Sequence, residues 1–202
     1  MPDAGTTPSR SAVLELKDER RAMHEGYVFL DEKCLLLAGE MLRGLARYES
    51  HRAAFDAARR EALAALDAAI ARHGLDGLQA HPRADARDAA LRRAPRGVMG
   101  VRLQEVELAG PPLPAPAAAD PSPEAEACRR AHVRLVALAV PLAAAGGDLE
   151  RLRLEYRRAM RRARALQDVL LPELAATLAG IEMRLEELEQ EEAVGMRRAA
   201  VA

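Results

Sequence analysis

Apolar residues recur every three or four positions over most of the chain, which is the spacing of one face of an α-helix. In the first segment this spacing alternates between three and four and is broken only at Arg20, as in the heptads of a coiled coil. The apolar positions are Val13, Leu16, Met23, Tyr27, Leu30, Cys34, Leu37 and Met41. We predict a first helix that is capped by Ser9 or Ser11 and ends at His73, with Gly74 as the residue beyond its last turn.

A second apolar stripe lies near the C-terminus and indicates another long helix. Its members are Leu166, Leu170, Leu174, Leu178, Ile181, Leu185 and Leu188. The helix is predicted to begin near Pro123, with a kink or break at Pro141 or at the pair Gly146 and Gly147. Pro172 lies inside the stripe, where it donates no hydrogen bond and crowds the carbonyl of Asp168, at a cost of roughly 3 kcal/mol. The periodicity alone does not explain why the helix keeps this residue.

The segment between the two stripes holds most of the prolines and the only strand-like sequence. The run GVMGVRLQEVEL favours a strand, and the preceding ARDAALRRAPRG can pair with it as a hairpin. The following PPLPAPAAADPSP is typical of an extended connector. We therefore divide the chain into an N-terminal coiled-coil helix (1–73), a middle segment (74–123) and a C-terminal coiled-coil helix (124–202).

Two long helices with one apolar face each most simply bury those faces against each other. The predicted fold class is all-α: a long antiparallel two-helix coiled coil with a small irregular or β-hairpin middle segment. If the two ends are flush, the acidic run from Glu186 to Glu192 lies beside Arg10, Lys17, Arg20 and Arg21.

Composition supports a thin helical core. The 202 residues include no Trp, two Phe and three Tyr, so few large side chains are present to fill a thick globular core. The formal net charge of -1 provides no overall field for nucleic acid or an anionic membrane. No apolar run has the length of a signal peptide or of a membrane span, so we expect a cytoplasmic protein. Cys34 and Cys128 are expected to be reduced structural thiols.

No pattern in the sequence points to catalysis. The chain lacks the GxxxxGK[ST] loop that cradles phosphates. Its histidines show no HxxxH or HExxH spacing and are interpreted as helix-surface or capping residues. The carboxylates are interpreted as partners in pairs four residues apart on solvated helix faces. We predict no catalytic residue, no cofactor and no metal ligand.

An arginine-rich stretch between Arg151 and Arg164 is the strongest charge feature. The sequence RLRLEYRRAMRRAR contains seven arginines and one glutamate. Three interpretations remain open: a solvated helix face, a contact with an acidic protein surface, or a nucleic-acid site. Nucleic acid is the least favoured, because Tyr156 is the only aromatic side chain that could stack on a base.

Three blocks of sequence resemble, in order and spacing, the D-subunit family of V-type/A-type ATPases (ATP synthases). They are the opening TTPSRSAVLELKDERRAMHEGYVFLDEK, the central GVMGVRLQEVEL and the closing RRARALQDVLLPELAATLAGIEMRLEELEQEE. The chain departs from the family in its Arg-rich surface and in Ala193, Val194 and Gly195, which replace aromatic residues. The residues that match the family's motifs are Pro8, Ser9, Arg10, Met99, Gly100, Val101, Pro172 and Glu182.

The resemblance implies a noncatalytic rotor component in the central stalk of an ion-translocating ATPase. Its implied partners are the A and B subunits of the catalytic hexamer, the F subunit and the collar protein of the membrane rotor ring. Location would be cytoplasmic and peripheral to the membrane, without direct membrane insertion. Whether protons or sodium ions are moved, and whether ATP is made or hydrolysed, is not specified. The candidate contacts with the stator or the F subunit are Arg151, Arg157, Arg158, Arg161 and Arg162.

A stand-alone coiled-coil scaffold or adaptor is the alternative interpretation. Composition and heptads alone would favour it, because many unrelated proteins share them. The three ordered blocks favour the rotor component instead.

Overall fold

The computed structural model describes residues 9–82, 89–109, 118 and 121–201. Helix α1 spans Arg10–Leu78, strand β1 spans Ala90–Val98 and strand β2 spans Val101–Ala109. Helix α2 spans Pro123–Ala165, a five-residue π-helical turn spans Leu166–Leu170, and helix α3 spans Leu171–Val201. The predicted fold class, long helices with a small hairpin in the middle, is confirmed.

Helix α1 begins and breaks where its sequence indicates. The Ser9 hydroxyl accepts a hydrogen bond from the Ala12 N–H at 3.2 Å, so Ser9 is the N-cap. At the other end Gly74 has φ 68° and ψ 167°, which interrupts the helical backbone before the last residues up to Leu78. A positive φ favours glycine because it has no Cβ.

Helix α2 is also started by a serine. The Ser122 hydroxyl accepts from the Ala125 N–H at 3.3 Å, and Pro123 occupies the first helical position, where its missing N–H costs least. The expected break at Pro141 or the glycine pair is absent, because α2 continues through them to Ala165, and the alternative expectation of a kink there stays a prediction.

The two strands form an antiparallel hairpin with a two-residue turn. Both turn residues have positive φ, Met99 at 47° and Gly100 at 86°, which is the signature of a type I′ turn. Pro95 lies opposite Gln104 in the middle of the hairpin. Because Pro95 has no N–H, this pair must be one whose backbone groups point away from the partner strand. Strand β1 can therefore contain a proline without losing a ladder hydrogen bond.

The chain divides into two compact units, and the first comprises Met1–Leu36 and Tyr156–Ala202. Its core contains Val13, Leu178 and Ile181, with Leu16 and Leu185 packed against them. Arg10 pairs with Glu189 at 2.7 Å and Lys17 with Glu182 at 2.8 Å. Within this unit the helices are thus antiparallel, and Arg10 meets the acidic run as expected, whereas Lys17 meets a glutamate that precedes it.

The second unit comprises Leu37–Glu155 and packs its helices through small residues. A Cβ placed on Gly44 would lie 3.1 Å from Leu149, and one on Gly146 would lie 3.6 Å from Tyr48. Arg134 and Glu61 form an ion pair at 3.0 Å, and because Gly44 meets Leu149, residue numbers rise on α1 as they fall on α2, so the helices are antiparallel here as well. The side chains buried in this helix pairing include Ala58, Ala62, Ala69, Ala125 and Cys128.

Candidate functional site

Glu40 is a buried charged residue on α1 that binds three arginines. It is 2% exposed, yet its carboxylate accepts hydrogen bonds from Arg43 at 2.8 and 3.1 Å and from Arg47 at 3.0 Å. Arg96 of strand β1 donates to the same carboxylate. These four residues, called the Glu40 cluster below, attach the hairpin to helix α1.

The arginines of the Glu40 cluster keep the Glu40 carboxylate ionised. Burial on its own would raise the pKa of Glu40, but hydrogen bonds from Arg43 and Arg96 outweigh it and hold that pKa below its ordinary value. Buried ion pairs often add little net stability, because desolvation offsets the attraction between the charges. We infer that the cluster chiefly specifies where the hairpin lies on α1.

Asp148 of helix α2 makes the second attachment of the hairpin. Its two carboxylate oxygens lie 3.0 and 3.1 Å from the Gln104 N–H, on the edge of β2 that faces away from β1. Arg151 donates to the same carboxylate. Val101 and Leu103 are buried at 7% and 2% exposure, so β2 is fastened by a polar contact at its edge and by apolar contacts on one face.

A small cleft borders the attached hairpin. It encloses about 210 Å³, and its lining includes Arg47, His51, Arg96, Leu103, Pro141 and Leu152. Pockets that hold drug-sized ligands are usually about 300–1,000 Å³. Arg47 and Arg96 already contact Glu40, so these two arginines of the lining are not free to bind a ligand in the cleft.

The residues that match the family's motifs lie at structural junctions. Met99 and Gly100 form the hairpin turn and Val101 begins the buried face of β2. Ser9 caps α1, and Pro8 lies outside the described residues. Two further motif residues, Arg10 and Glu182, form the ion pairs of the first unit described above. Pro172 is exposed and follows the π turn by two residues.

Most of the predicted packing residues face the interior. Val13, Leu37, Leu178 and Ile181 are buried. The half-buried members of the set are Leu16, Met23, Tyr27, Leu30, Met41, Leu166, Leu174 and Leu185.

Two of the predicted packing residues differ from the expectation. Leu170 is 40% exposed, because the π turn rotates the following helix and places Leu171 toward the interior instead. Leu188 is 45% exposed. It lies beside Glu189, which pairs with the first residue of α1, so that helix offers little further surface to cover it.

The predicted arginine contacts fall into two groups. Arg151 is occupied by Asp148. Arg157, Arg158, Arg161 and Arg162 are exposed, and none of them makes an ion pair with any residue that the structure describes. These last four, called the arginine face below, lie on consecutive turns of α2 and present uncompensated positive charge.

Two histidines make side-chain contacts that the sequence did not reveal. The Nε2 atom of His73 lies 2.5 Å from the Ser122 hydroxyl, which also donates to Glu124 at 3.1 Å. Because the hydroxyl proton goes to Glu124, His73 must donate through Nε2. His132 contacts Cys128 one turn away on α2. Within the described ranges no group of three or more His, Cys, Asp or Glu side chains could hold a metal ion.

One helical window passes a length-and-composition test for membrane spans. It lies within Pro123–Ala200, has a mean hydropathy of 1.3 and has none of its residues buried. The sequence contains no uninterrupted apolar run of that length, and one such window is weak evidence for a span. The expected absence of a membrane-spanning segment therefore stays a prediction.

The architecture and its attachments define an all-α coiled-coil protein with a small central hairpin fixed to its helices. The family model for the ATP synthase D subunit matches residues 12–200. The V-type ATP synthase D subunit of Anaeromyxobacter dehalogenans strain 2CP-C is 32% identical over 204 residues, covering 98% of this chain and 96% of that protein. Its counterpart in Anaeromyxobacter sp. strain Fw109-5, also a V-type ATP synthase D subunit, is 31% identical over 205 residues, covering 96% and 92%. The chain belongs to the ATP synthase D-subunit family, as its sequence blocks indicated.

Proposed function

We propose that this chain is the noncatalytic central-stalk rotor component of a V-type or A-type ATPase. In this role it transmits torque between ATP hydrolysis or synthesis in a hexamer of A and B subunits and proton or sodium transport through a membrane ring. The observation that carries the proposal is membership of the D-subunit family over residues 12–200. Location at the cytoplasmic side of the membrane, through the assembled complex, follows from the same role.

The packing of the first unit is suited to carrying torque. An apolar seam of Val13, Leu178 and Ile181 is flanked by two ion pairs between the helices, Arg10 with Glu189 and Lys17 with Glu182. Apolar burial in the seam resists separation of the helices, whereas the exposed flanking pairs add only about 0–1 kcal/mol each. A rod of this kind can turn as one body.

A rotor must also present different surfaces to different catalytic interfaces. It can shift their conformational equilibria only through contacts that differ between states. The arginine face provides such an asymmetry, because its charge is exposed on one helix and lacks partners among the described residues. We propose that it meets acidic surfaces of the A/B hexamer or of the F subunit.

The hairpin is the second asymmetric feature. Strand β1 is exposed from Ala90 to Gly97, and the hairpin is attached to α1 through Arg96 of β1 and to α2 through the Gln104 N–H of β2. We propose that the hairpin supplies part of the contact with the F subunit, and that the remaining end of the stalk rests on the collar protein of the membrane ring. Nucleic acid is not expected as a partner.

Reconstitution with candidate A, B and F subunits tests this function. The assembly is isolated with and without this chain, and ATP hydrolysis and ion uptake into vesicles are measured. We expect the chain to join the complex and ion uptake to depend on it. Failure to join, while the isolated chain folds and self-associates, would favour the scaffold alternative.

A pair of variants sharpens the reconstitution. Leu178→Asp places a charge in the apolar seam at a side chain that is 4% exposed, whereas Leu188→Asp changes a side chain that is 45% exposed. We expect only Leu178→Asp to reduce helicity of the isolated chain and ion uptake by the assembly. Equal uptake by both assemblies would argue against a load-carrying seam.

A further inference from the structure

The π turn at Leu166–Leu170 changes the phase of the helix that contains it. The Leu171 N–H donates to the Leu166 carbonyl, five residues back instead of four. A π turn of this kind inserts one residue into an otherwise α-helical segment. Because an α-helix rotates by about 100° per residue, every position beyond the turn is displaced by about that angle.

The pattern of buried positions along the helix shifts by one residue at the π turn. Before the turn Ala159 and Ala163 are buried and Leu166 is half-buried, at spacings of four and three. A regular continuation would bury Leu170, but Leu170 is exposed and Leu171 is half-buried. Beyond it the interior positions continue at three, four, three and four: Leu174, Leu178, Ile181 and Leu185. The heptad pattern is therefore intact on both sides of a single extra residue.

The facing part of α1 contains no corresponding insertion. Its interior positions from Met23 to Leu30 keep the three-and-four spacing in an unbroken helix. Gly26 lies opposite the start of the turn, where a Cβ on it would be 3.9 Å from Leu166. Only one of the two helices therefore changes phase, and the turn determines which side of α3 faces α1.

Pro172 has a defined relation to this turn. In a regular helix the Leu171 N–H would serve the Gln167 carbonyl, but here it serves Leu166. For the π hydrogen bond to move one residue toward the C-terminus, residue 172 would have to donate to Gln167. Proline has no N–H and cannot make that bond.

We propose that the π turn is a built-in phase step that sets the rotational position of α3 against α1, and that Pro172 prevents the step from moving toward the C-terminus. The proline is kept because it fixes the place of the insertion. The proposal concerns the chain itself and does not depend on its partners.

Single-residue deletions in a Pro172→Ala background test the phase step. Deletion of the exposed Gln167 removes the extra residue and leaves continuous heptads, so we expect the melting temperature of the background to be retained. Deletion of the exposed Ala176 moves Leu178, Ile181 and Leu185 out of phase, so we expect a drop of roughly 10 °C or more. Equal melting temperatures for the two deletions, whether high or low, would overturn the phase step.

Hydrogen exchange of the full-length chain tests the two parts separately. In the Pro172→Ala background, deleting Gln167 should slow amide exchange at the former turn, because a regular ladder of α-helical hydrogen bonds replaces it. Unchanged exchange there would contradict the assignment. With Pro172→Ala alone, weak protection should extend beyond Leu171 to Glu173 and Leu174, because the turn can now move. A protection boundary that stays at Leu171 would show that Pro172 does not hold the step in place.

Discussion

Two glycines inside α1 meet very different surroundings, and this difference determines what a methyl group would do at each. Gly26 leaves ordinary van der Waals room, since its nearest neighbour, Leu166, would be 3.9 Å from an added Cβ. Gly44 is buried, and Leu149 would be only 3.1 Å away. A glycine inside a helix costs about 0.5–1 kcal/mol relative to alanine through backbone entropy.

Gly26→Ala is therefore expected to raise the free energy of unfolding by about 0.5–1 kcal/mol. Gly44→Ala should gain nothing or lose stability, because Leu149 must move to make room. Urea denaturation of both variants measures the difference. Stabilisation of equal size at the two positions would show that the close contact at Gly44 is absent in solution.

The pKa of Glu40 implies a pH dependence of stability. The folded-state pKa lies below its unfolded value, so the contribution of Glu40 is present above the unfolded pKa, near 4.3, and is lost as pH falls through the folded pKa. Glu40→Gln should remove that part of the acid sensitivity.

The same substitution should also lower stability at pH 7, by about 1–3 kcal/mol, since it leaves Arg43, Arg47 and Arg96 facing a neutral amide. Chemical denaturation between pH 3 and 7 measures both effects. Glu126→Gln is the control, because the Glu126 carboxyl also has a lowered pKa, with Arg129 as its main cause, but does not contact the hairpin. If both variants lose acid sensitivity equally at unchanged neutral stability, the Glu40 cluster does not fasten the hairpin.

At the scale of elements, the hairpin turn contains one residue that suits its backbone and one that does not. Gly100 adopts φ 86° without penalty, whereas Met99 adopts φ 47° with a side chain present. A left-handed conformation costs an ordinary residue roughly 1–2 kcal/mol, and asparagine tolerates it better.

Met99→Asn should therefore stabilise the chain by about 0.5–1 kcal/mol, and Gly100→Ala should destabilise it by about 1 kcal/mol. Thermal melts of the two single variants provide the measurement. The opposite order would indicate that packing of the half-buried Met99 side chain outweighs the backbone strain at this position.

Sequence periodicity predicted the elements better than their contacts. Heptads, Ser9 and Gly74 are local signals, and each has its expected place in the structure. The run GVMGVRLQEVEL was predicted as a single strand, and this was wrong, because Met99 and Gly100 form the turn and β2 begins only at Val101. The Glu40 cluster was not predicted, because its link to Arg96 joins residues 56 positions apart. The phase step was also missed, since a stripe through Leu170 satisfies an α-helical period. The visible signal was the five-residue gap from Leu166 to Leu171 between two regular heptad series.

At the scale of the whole molecule, the charge of the arginine face matters for binding to partners more than for folding. The arginine face makes no ion pair within the described part of the chain, so neutralising it should cost the isolated protein little. Contacts between exposed charges are screened by salt, and buried contacts are screened less.

Replacing Arg157, Arg158, Arg161 and Arg162 by Gln should weaken association with the assembly of A, B and F subunits at low salt, by roughly tenfold or more, while melting of the free chain stays nearly unchanged. Arg153→Gln is the matched control, because Arg153 already pairs with Glu150. Binding measured from low to high salt should show a shallower salt dependence for the fourfold variant than for the control. Identical salt dependence would assign the arginine face to solvent.

The small residues between the helices of the second unit make its tolerance of mutation one-sided. Ala58, Ala62 and Ala69 are at most 3% exposed, so nearly every substitution at these positions adds volume where there is none to spare. Large-to-small substitutions, which commonly destabilise a thick core, can remove only a methyl group at these positions. Among related sequences, these three positions should accordingly accept few residues larger than alanine, whereas the surrounding surface positions should vary freely.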